Sequence, residues 1–424
     1  MIKSTYMSEP LSTDPYKGVR DFYPTDQARL NAMFARIREV LGTWGYEEYN
    51  ASPLERAELY EAKTSEEIVN EQTYTFTDRG DRKVTLRPEM TPTLARMVAG
   101  KRRELSFPLR WFSIGNRFRY ERPQKGRLRE FYQTDVDLVG LPEGEADIEV
   151  IRLASEILKS FGATEKDFII RVNSRALLNA ACASAGLKDE SVKRYLHLLD
   201  KKSKMRPEEF KAASEAISKV DPLSLIDSGP VETFVAALKK RGVGNTVFDS
   251  GITRGFDYYT GTVFEIYDTN PANPRALFGG GRYDGLMALF GGEPIPAVGF
   301  AIGDVTLGDF LETHSLPLDA NSRKPQLYLG TPKEGDIPAA QAFADTLRKE
   351  GARVFVNLTT RALGDQIKDA VKRDIPFFVA YGADEVTKKE VRMKILATSE
   401  ERVLSVPELV LALRGLGEVG RAAS

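Results

Sequence analysis

Apolar residues recur at nearly every second position in residues 112–120 and 131–138, on either side of a charged loop. Because successive strand side chains point to opposite faces, this alternation predicts two strands joined as a hairpin. The more polar face carries Arg117, Arg119, Glu121, Phe131, Gln133, Asp135 and Asp137. Arginine donates paired hydrogen bonds to phosphate and an aromatic ring can stack on a base. The candidate nucleotide platform on this side of the hairpin therefore consists of Arg119, Glu121, Arg129, Phe131, Gln133 and Asp137. A solvated hairpin with ordinary cross-strand ion pairs explains the pattern equally well.

Helical spacing of apolar residues recurs elsewhere in the first half of the chain. It predicts helices over residues 30–41, from near Pro92 onwards, and over residues 146–161. Strand patterns predict two short strands within residues 73–87 and another over residues 168–172. The first half of the chain therefore mixes strands with helices.

Residues 186–246 have a different character, since they are charged, helical in pattern and without strand signals. We interpret them as an inserted helical module. Lysines that could face a phosphate backbone are Lys188, Lys193, Lys201, Lys202 and Lys204, although a solvated helix face is the commoner meaning. After a linker at residues 315–325, alternating strand and helix patterns predict an α/β domain of about 100 residues with a largely parallel sheet.

Three polar residues stand where a predicted strand meets the helix near Pro92, namely Arg87, Glu89 and Thr91. Polar groups at such a junction can bind a small ligand, and the carboxylate of Glu89 suits an amino group. Thr91 could equally be the N-cap of that helix, and the two interpretations do not exclude each other.

Two glycine-rich segments follow the helical module. Residues 251–265 place polar and aromatic side chains beside glycines that allow close backbone approach, among them Arg254, Asp257, Tyr258 and Tyr259. Residues 278–286 contain three consecutive glycines that would permit tight turns near a ligand. This second segment lacks the Lys-Ser/Thr ending of a phosphate-binding loop, so it is weak support for a site by itself.

Composition narrows the classes of protein that remain. The chain has 424 residues, 42% hydrophobic and 29% charged, with a formal net charge of -1. This length allows two or three domains, and a nucleic-acid surface must be a local patch such as residues 101–130, with ten Lys/Arg against three Glu. The single Cys182, among small apolar residues, excludes an internal disulfide and a cysteine-based zinc site, and a buried helix thiol is expected.

The histidines and the apolar runs add further expectations. Neither His197 nor His314 has an evident partner in the sequence, so we expect no catalytic or metal role for either. No apolar run approaches the roughly 20 residues that span a bilayer, and the start of the chain lacks a signal-peptide pattern. A cytoplasmic protein is therefore expected.

Together these segments resemble the histidyl-tRNA synthetase family of class II aminoacyl-tRNA synthetases, over essentially the whole chain. The combination of RGFDYYTG with REFYQTDVD is the most specific part of the likeness. GVRDFYP and the segment around Pro53 look like the first family motif, which builds a homodimer interface. Residues 117–137 look like the second motif with its tRNA acceptor loop, and GGGRYDGL with VGFAIG looks like the approach to the third.

The resemblance implies an α/β protein with a catalytic domain of α+β type, built on a class II antiparallel sheet flanked by helices. Residues 1–185 and 247–318 would form the catalytic domain, interrupted by the helical insertion at 186–246. Residues 325–424 would form a C-terminal α/β anticodon-binding domain. The implied activity is ATP-dependent ligation of L-histidine to tRNA(His) through a histidyl-adenylate, by a cytoplasmic homodimer that uses Mg²⁺ and has no membrane partner.

The resemblance also implies residue roles. The histidine-binding residues would be Glu89, Thr91, Gln133, Asp137, Tyr258 and Tyr259. The ATP-binding residues would be Arg119, Glu121, Arg127, Phe131 and Arg254. Arg119 and Arg254 would act catalytically at the α-phosphate. Arg122 and Gln124, with Pro123, match the loop that in the family reads the extra 5′ guanosine of histidine tRNA.

One departure from the family pattern concerns the third motif. The family continues Gly-x-Glu-Arg after the strand, whereas here Thr306 stands at the arginine position. Another basic residue such as Arg282 could substitute, ATP could be held differently, or adenylation could be impaired. A rival hypothesis follows from the last alternative: a regulatory protein with a synthetase-like fold that binds histidine or another partner without aminoacylation.

Overall fold

The computed structural model describes residues 11–61, 72–202, 205–254, 258–318 and 324–422. These residues fall into two compact units, within Met1–Tyr23 and Met33–Leu318 for the first, and within Pro24–Ala32 and Asp319–Ser424 for the second. None of the helices in the described residues is long and apolar enough to cross a membrane.

The first 160 residues alternate helices with short and long strands. In chain order the elements are α1 (Pro24–Thr43), β1 (Glu47–Glu48), β2 (Leu54–Arg56), α2 (Glu58–Glu61), β3 (Tyr74–Thr77), β4 (Lys83–Leu86), α3 (Thr91–Lys101), β5 (Leu109–Phe118), β6 (Glu130–Val139) and α4 (Glu145–Ser160). The predicted hairpin is β5 and β6, paired antiparallel from Leu109 opposite Val139 to Phe118 opposite Glu130.

A second series of elements runs to residue 313. It consists of β7 (Phe168–Ser174), α5 (Arg175–Ser184), α6 (Glu190–Asp200), α7 (Pro207–Ile217), α8 (Gly229–Lys240), β8 (Thr246–Phe248), β9 (Thr262–Asp268), β10 (Ala276–Arg282), β11 (Ala297–Gly303) and α9 (Asp304–Thr313). The segment interpreted as a helical module contains α6, α7 and α8, with turns and bends between them in the described residues, and β8 begins at its last residue, Thr246. Lys204 lies outside the described residues.

An eight-stranded sheet organises the first unit, in the order β1-β5-β6-β11-β10-β9-β7-β8. Every pairing from β5 to β7 is antiparallel, and the edge strands β1 and β8 pair parallel with their neighbours. The helix α4 packs against β6 and β11, and its apolar residues, such as Ile151 and Leu158, are fully buried there. This confirms the antiparallel sheet flanked by helices.

A second helix, α3, anchors the aromatic residues of the glycine-rich segments. Leu94 and Val98 of α3 belong to the same buried cluster as Tyr258, Tyr259 and Tyr283. Burying such side chains stabilises the fold by roughly 1.5–3 kcal/mol each. The three tyrosines are therefore fixed by the core of the protein.

The helices that follow β7 have a small core of their own. Cys182, Tyr195 and Leu199 are buried in it, and the Tyr195 hydroxyl donates to Asp221 over 2.8 Å. Burial raises the pKa of the Cys182 thiol, as expected for an unreactive helix cysteine.

The second unit carries the C-terminal strand-helix pattern. Its elements are β12 (Leu327–Gly330), α10 (Ile337–Lys349), β13 (Val354–Val356), α11 (Leu363–Lys372), β14 (Phe377–Ala380), α12 (Ala383–Lys388), β15 (Glu390–Ile395), β16 (Glu401–Ser405) and α13 (Val406–Ala422). The strand order is β13-β12-β14-β15-β16, parallel among the first three and antiparallel among the last three. The expectation of a largely parallel sheet is wrong, because β15 and β16 form a hairpin.

Candidate active site

A cavity of about 120 Å³ opens on the central strands of the eight-stranded sheet. It brings together eight of the predicted site residues, namely Glu89, Thr91, Arg119, Gln133, Asp137, Arg254, Tyr258 and Tyr259. Its lining also includes residues to which the sequence assigned no role in binding, chiefly Asp135, Tyr283 and Gly299.

One wall of the cavity is the start of α3. Met90 is the N-cap and Thr91 is already the first helical residue, so the interpretation of Thr91 as the cap is wrong. Glu89 is 3% exposed, and the Tyr258 hydroxyl donates to its Oε2 over 2.9 Å. Burial, followed by the charge of Glu89, raises the pKa of Tyr258 well above its ordinary value. A buried carboxylate with hydroxyl neighbours is suited to holding an ammonium group.

The floor of the cavity carries Asp137, which is almost completely buried on β6. Its Oδ1 accepts a hydrogen bond from the Tyr283 hydroxyl, whereas its Oδ2 has no hydrogen-bond partner among the described residues. Burial raises the pKa of Asp137 to about 8, although the hydrogen bond from Tyr283 opposes the shift. Gly299 lies opposite Asp137 in the sheet, and a Cβ there would stand 2.4 Å from Oδ1. A glycine at position 299 is therefore required for the carboxylate to lie over the sheet.

The three consecutive glycines of the second glycine-rich segment lie in strand β10 and form no loop. A Cβ at Gly281 would be 2.8 Å from the Tyr259 ring, and one at Gly279 would be 2.3 Å from the Phe264 carbonyl oxygen. The glycines thus make room for side chains that cross the sheet surface. The expectation that these glycines form tight turns is therefore wrong, although Gly279 does line the cavity.

Arg254 lines the cavity. Its own backbone φ is 58°, in the left-handed region that only a few non-glycine residues adopt. Its Nη2 donates to the Gly279 carbonyl over 3.1 Å and its Nη1 lies 3.2 Å from Glu265 Oε1. Burial alone would lower the pKa of Arg254, but the neighbouring Tyr259 and Glu265 raise it. Its buried Nε has no hydrogen-bond partner within the described chain.

The hairpin supplies a second guanidinium at the cavity. The Nε of Arg119 donates to the Pro88 carbonyl over 2.9 Å, and the guanidinium lies 5.3 Å from the Phe131 ring centroid. In the loop beyond, Arg127 pairs with Glu121 over 3.0 Å. Phe131 thus contacts Arg119, whereas Arg127 pairs with Glu121. The cavity lining includes Arg119 but not Glu121, Arg127 or Phe131.

The loop residues matched to tRNA reading lie at the surface. Arg122 and Gln124 are exposed, and the Gln124 side-chain oxygen accepts a hydrogen bond from Arg275 over 2.9 Å. Lys125 donates to the Ala272 carbonyl over 3.2 Å. The loop is thus attached to the segment before β10 while its side chains remain accessible.

Arg117 differs from its predicted position on an accessible polar face. It is fully buried, and its Nη2 lies 2.5 Å from Asp135 Oδ2. Because this ion pair is buried in the sheet, the Arg117 side chain cannot contact a nucleotide on the surface.

The suggestion that Arg282 replaces the missing third-motif arginine is wrong. Arg282 is 1% exposed, and its Nε and Nη2 donate to the two oxygens of Asp147 over 3.0 and 2.7 Å. Its Nη1 donates to Asp284 and to the Leu141 carbonyl. The Thr306 hydroxyl itself donates to the Leu277 carbonyl over 2.6 Å. Arg282 thus binds β10 to α4 and has no guanidinium edge left for a ligand.

His314 has the partners that the sequence failed to indicate. Its Nε2 lies 2.7 Å from Asp268 and its Nδ1 3.4 Å from Asp167, outside the cavity. No group of three His, Cys, Asp or Glu side chains in the described part of the chain could hold a metal ion.

Two family models match most of the chain. Residues 18–240 and 204–306 match the family model described as Histidyl-tRNA synthetase, and residues 326–416 match the one described as Anticodon binding domain. The Histidine--tRNA ligase of Leptospira biflexa is 39% identical over 96% of this chain and 98% of its own length. The ligase of the same name from Opitutus terrae is 37% identical over 91% and 94%.

A solved structure shares the fold. The histidyl-tRNA synthetase from Nostoc sp. PCC 7120 superposes with a TM-score of 0.75, at 24% identity, over 97% of this chain and all of that one. At 24% identity this structural similarity supports the fold alone. The family is shown by the family models and by the relatives with higher identity.

Proposed function

The chain belongs to the histidyl-tRNA synthetase family, and we propose that the cavity on its eight-stranded sheet is where histidine and ATP react. The protein charges tRNA(His) with histidine at the expense of ATP, through a histidyl-adenylate. One observation carries the location of the site: buried carboxylates and two arginines line a single cavity.

The histidine would lie across the floor of the cavity. Its ammonium would bind Glu89 and Thr91, beside Gln133. Its imidazole N–H would donate to the unpartnered Oδ2 of Asp137, and the Tyr259 side chain would contact the other ring nitrogen. A site with buried polar groups rejects analogues that leave those groups unpaired, so both ends of histidine contribute to selectivity.

ATP would approach from the hairpin side. Glu121 would contact the adenine edge, Phe131 would stack on the base, and Arg127 would support the triphosphate after leaving its ion pair with Glu121. Arg119 and Arg254 would hold the α-phosphate. Their guanidiniums already have fixed backbone acceptors, Pro88 and Gly279, and are therefore preorganised.

The adenylation step then needs positioning and charge stabilisation. A carboxylate oxygen of histidine forms a bond to the α-phosphorus, and the bond from that phosphorus to the pyrophosphate oxygen breaks. Arg254 and Arg119 would stabilise the negative charge that develops on the α-phosphate oxygens. Mg²⁺ would arrive on the triphosphate and neutralise phosphate charge, held by phosphate oxygens and water, as this ion prefers.

We further propose that the protein is a cytoplasmic homodimer. The first-motif segment around Pro53 leads directly into strand β2, which is an edge strand of a separate three-stranded sheet, and Leu54 on that strand is 44% exposed. An exposed apolar residue on an unpaired edge supports a contact with a second copy.

The purified wild-type protein is expected to exchange labelled pyrophosphate into ATP only when histidine is present. Adenylation is reversible, so this assay reports the first half-reaction without tRNA. A set of other amino acids at equal concentration is the control, and exchange with one of them instead would change the substrate. No exchange with any amino acid would favour the regulatory protein that binds histidine without aminoacylation.

The exposed loop supports a second expected result. Gln124→Ala and Arg122→Ala are expected to slow transfer to tRNA roughly 10- to 100-fold, because each removes a hydrogen bond to a charged or polar tRNA group. Pyrophosphate exchange should stay unchanged, since neither side chain lines the cavity. Wild-type protein should charge tRNA lacking the extra 5′ guanosine poorly; equal charging of both tRNAs would contradict the proposed loop role.

A further inference from the structure

Three polar side chains alternate along β6 at positions 133, 135 and 137, and all three line the cavity. Asp135, the middle one, is 3% exposed and has partners on both oxygens. Its Oδ2 lies 2.5 Å from Nη2 of Arg117, and its Oδ1 accepts a hydrogen bond from Nε2 of Gln133 over 2.7 Å. Asp135 therefore links a buried guanidinium to a residue of the proposed histidine site.

The guanidinium is held in place by the strand beside it. Gly115 lies opposite Gln133 in the hairpin, and a Cβ there would stand 2.5 Å from Nη2 of Arg87 and 3.4 Å from Nη1 of Arg117. The absence of a side chain at Gly115 lets both arginines cross the sheet. Arg87 donates to the Ala51 carbonyl over 2.7 Å, and burial, followed by the charge of Arg117, lowers the pKa of Arg87 to about 10. Asp135 is thus the carboxylate that compensates positive charge in this layer.

The chemistry of a carboxylate decides how Gln133 is turned. An ionised carboxylate only accepts hydrogen bonds, so the amide must present its NH₂ to Asp135. Its Oε1 accepts no hydrogen bond from any residue that the structure describes and belongs to a side chain on the cavity wall. With the opposite orientation, the NH₂ of Gln133 would face the ligand's ammonium, donor against donor.

We propose that Asp135, anchored by Arg117, is the positioning residue that keeps the Gln133 side-chain oxygen directed at the ammonium of histidine. This rests on the proposed location of the histidine site. Asp135 itself would not touch the substrate; its effect passes through the orientation of one amide.

Asp135→Asn is the direct test, because an amide at this position can donate as well as accept and no longer dictates how Gln133 is turned. The KM for histidine in pyrophosphate exchange and the Kd for histidinol are expected to rise roughly 10- to 100-fold, the weight of a hydrogen bond to a charged group. The Kd for 3-(imidazol-4-yl)propanoate, which lacks the ammonium, and the KM for ATP are expected to stay within about twofold. A merely structural role would weaken all of these ligands together.

Two further variants separate orientation from general damage. In Gln133→Glu/Asp135→Asn, position 133 carries an acceptor whichever way it turns, so histidine and histidinol binding should recover. Ser113→Ala is the matched control, because Ser113 lies opposite Asp135 and its buried hydroxyl has no hydrogen-bond partner among the described residues. This control should leave every constant unchanged.

Removal of one partner from a buried ion pair leaves an uncompensated charge, so Asp135→Asn could unfold the protein. Arg117→Met/Asp135→Asn removes both charges and is expected to show the same pattern of ligand affinities. Equal weakening of all ligands, unchanged histidine affinity, or failure of the Gln133→Glu rescue would each overturn the proposal. The wild-type assay is read first, so an inactive wild type counts against the proposed function, and these variant patterns count only against the role of Asp135.

Discussion

Arg254→Ala is expected to slow histidyl-adenylate formation by roughly 10²- to 10³-fold, the usual cost of losing a donor aimed at developing negative charge. Affinity for histidine is expected to change less than about threefold, because the proposed ground-state contacts of histidine are those with Glu89 and Asp137. Single-turnover formation of the adenylate, compared with equilibrium histidine binding, separates the two effects. Equal losses in rate and binding would contradict a transition-state role for Arg254.

The surroundings of Arg254 make this experiment interpretable. Its main carboxylate partner, Glu265, keeps a hydrogen bond from the Tyr267 hydroxyl over 2.5 Å and is 16% exposed, so the variant leaves Glu265 with a partner and some solvent. Arg110→Ala is a suitable control. Arg110, on strand β5, is likewise a partly buried arginine; it pairs with Glu149 over 2.7 Å and lies outside the cavity lining. Its removal should leave the rate of adenylation unchanged.

Most of the fold could be predicted because its signals are local. The hairpin of β5 and β6 follows from alternation alone, and α4 follows from apolar spacing that the sheet then buries. The C-terminal sheet was predicted less well. Short strands such as β16, ERVLS, carry little alternation, and a single hairpin is enough to turn the sheet from parallel to mixed.

Only the candidate residues of the site could be predicted, from their side-chain chemistry and from the resemblance to the family. Tyr283 was not predicted as a site residue. It directly follows three glycines and Arg282, and three consecutive glycines in a strand indicate that other side chains pack closely against it. What the sequence does not contain is the register: Gly299 opposite Asp137 and Gly115 opposite Gln133 decide which side chains can lie over the sheet. Ion pairs such as Arg117 with Asp135 depend on the same register, so an exposed arginine was expected where a buried one lies.

Asp137→Asn is expected to raise the KM for histidine roughly 100-fold while it stabilises the ligand-free protein. The loss of affinity follows because the amide accepts from Tyr283 with its oxygen and then presents NH₂ to the imidazole N–H. Pyrophosphate exchange measured over a range of histidine concentrations gives the KM. An unchanged KM would remove Asp137 from the ring site.

The stabilising half of the result has a definite dependence on pH. The pKa of Asp137 is about 8 in the folded protein and about 3.9 in an unfolded chain. Between these values the folded state holds a proton that the unfolded state has released, so the unfolding free energy of the wild type falls as pH rises from about 4 to 8. The amide does not titrate. The variant should therefore match the wild type near pH 4 and exceed it near pH 8.5 by on the order of 3–5 kcal/mol.

Urea unfolding of ligand-free wild type and Asp137→Asn at pH 4 and pH 8.5 measures this difference. Asp268→Asn is the matched control, since Asp268 is also buried but already accepts hydrogen bonds from Asn273 and faces His314. Its variant should lose stability, because it breaks satisfied contacts, and should bind histidine normally. A destabilised Asp137→Asn protein at pH 8.5 would mean that the buried carboxylate is compensated by its surroundings. The gain expected instead identifies Asp137 as a group whose burial destabilises the ligand-free protein, as is typical of a residue that serves binding at the expense of stability.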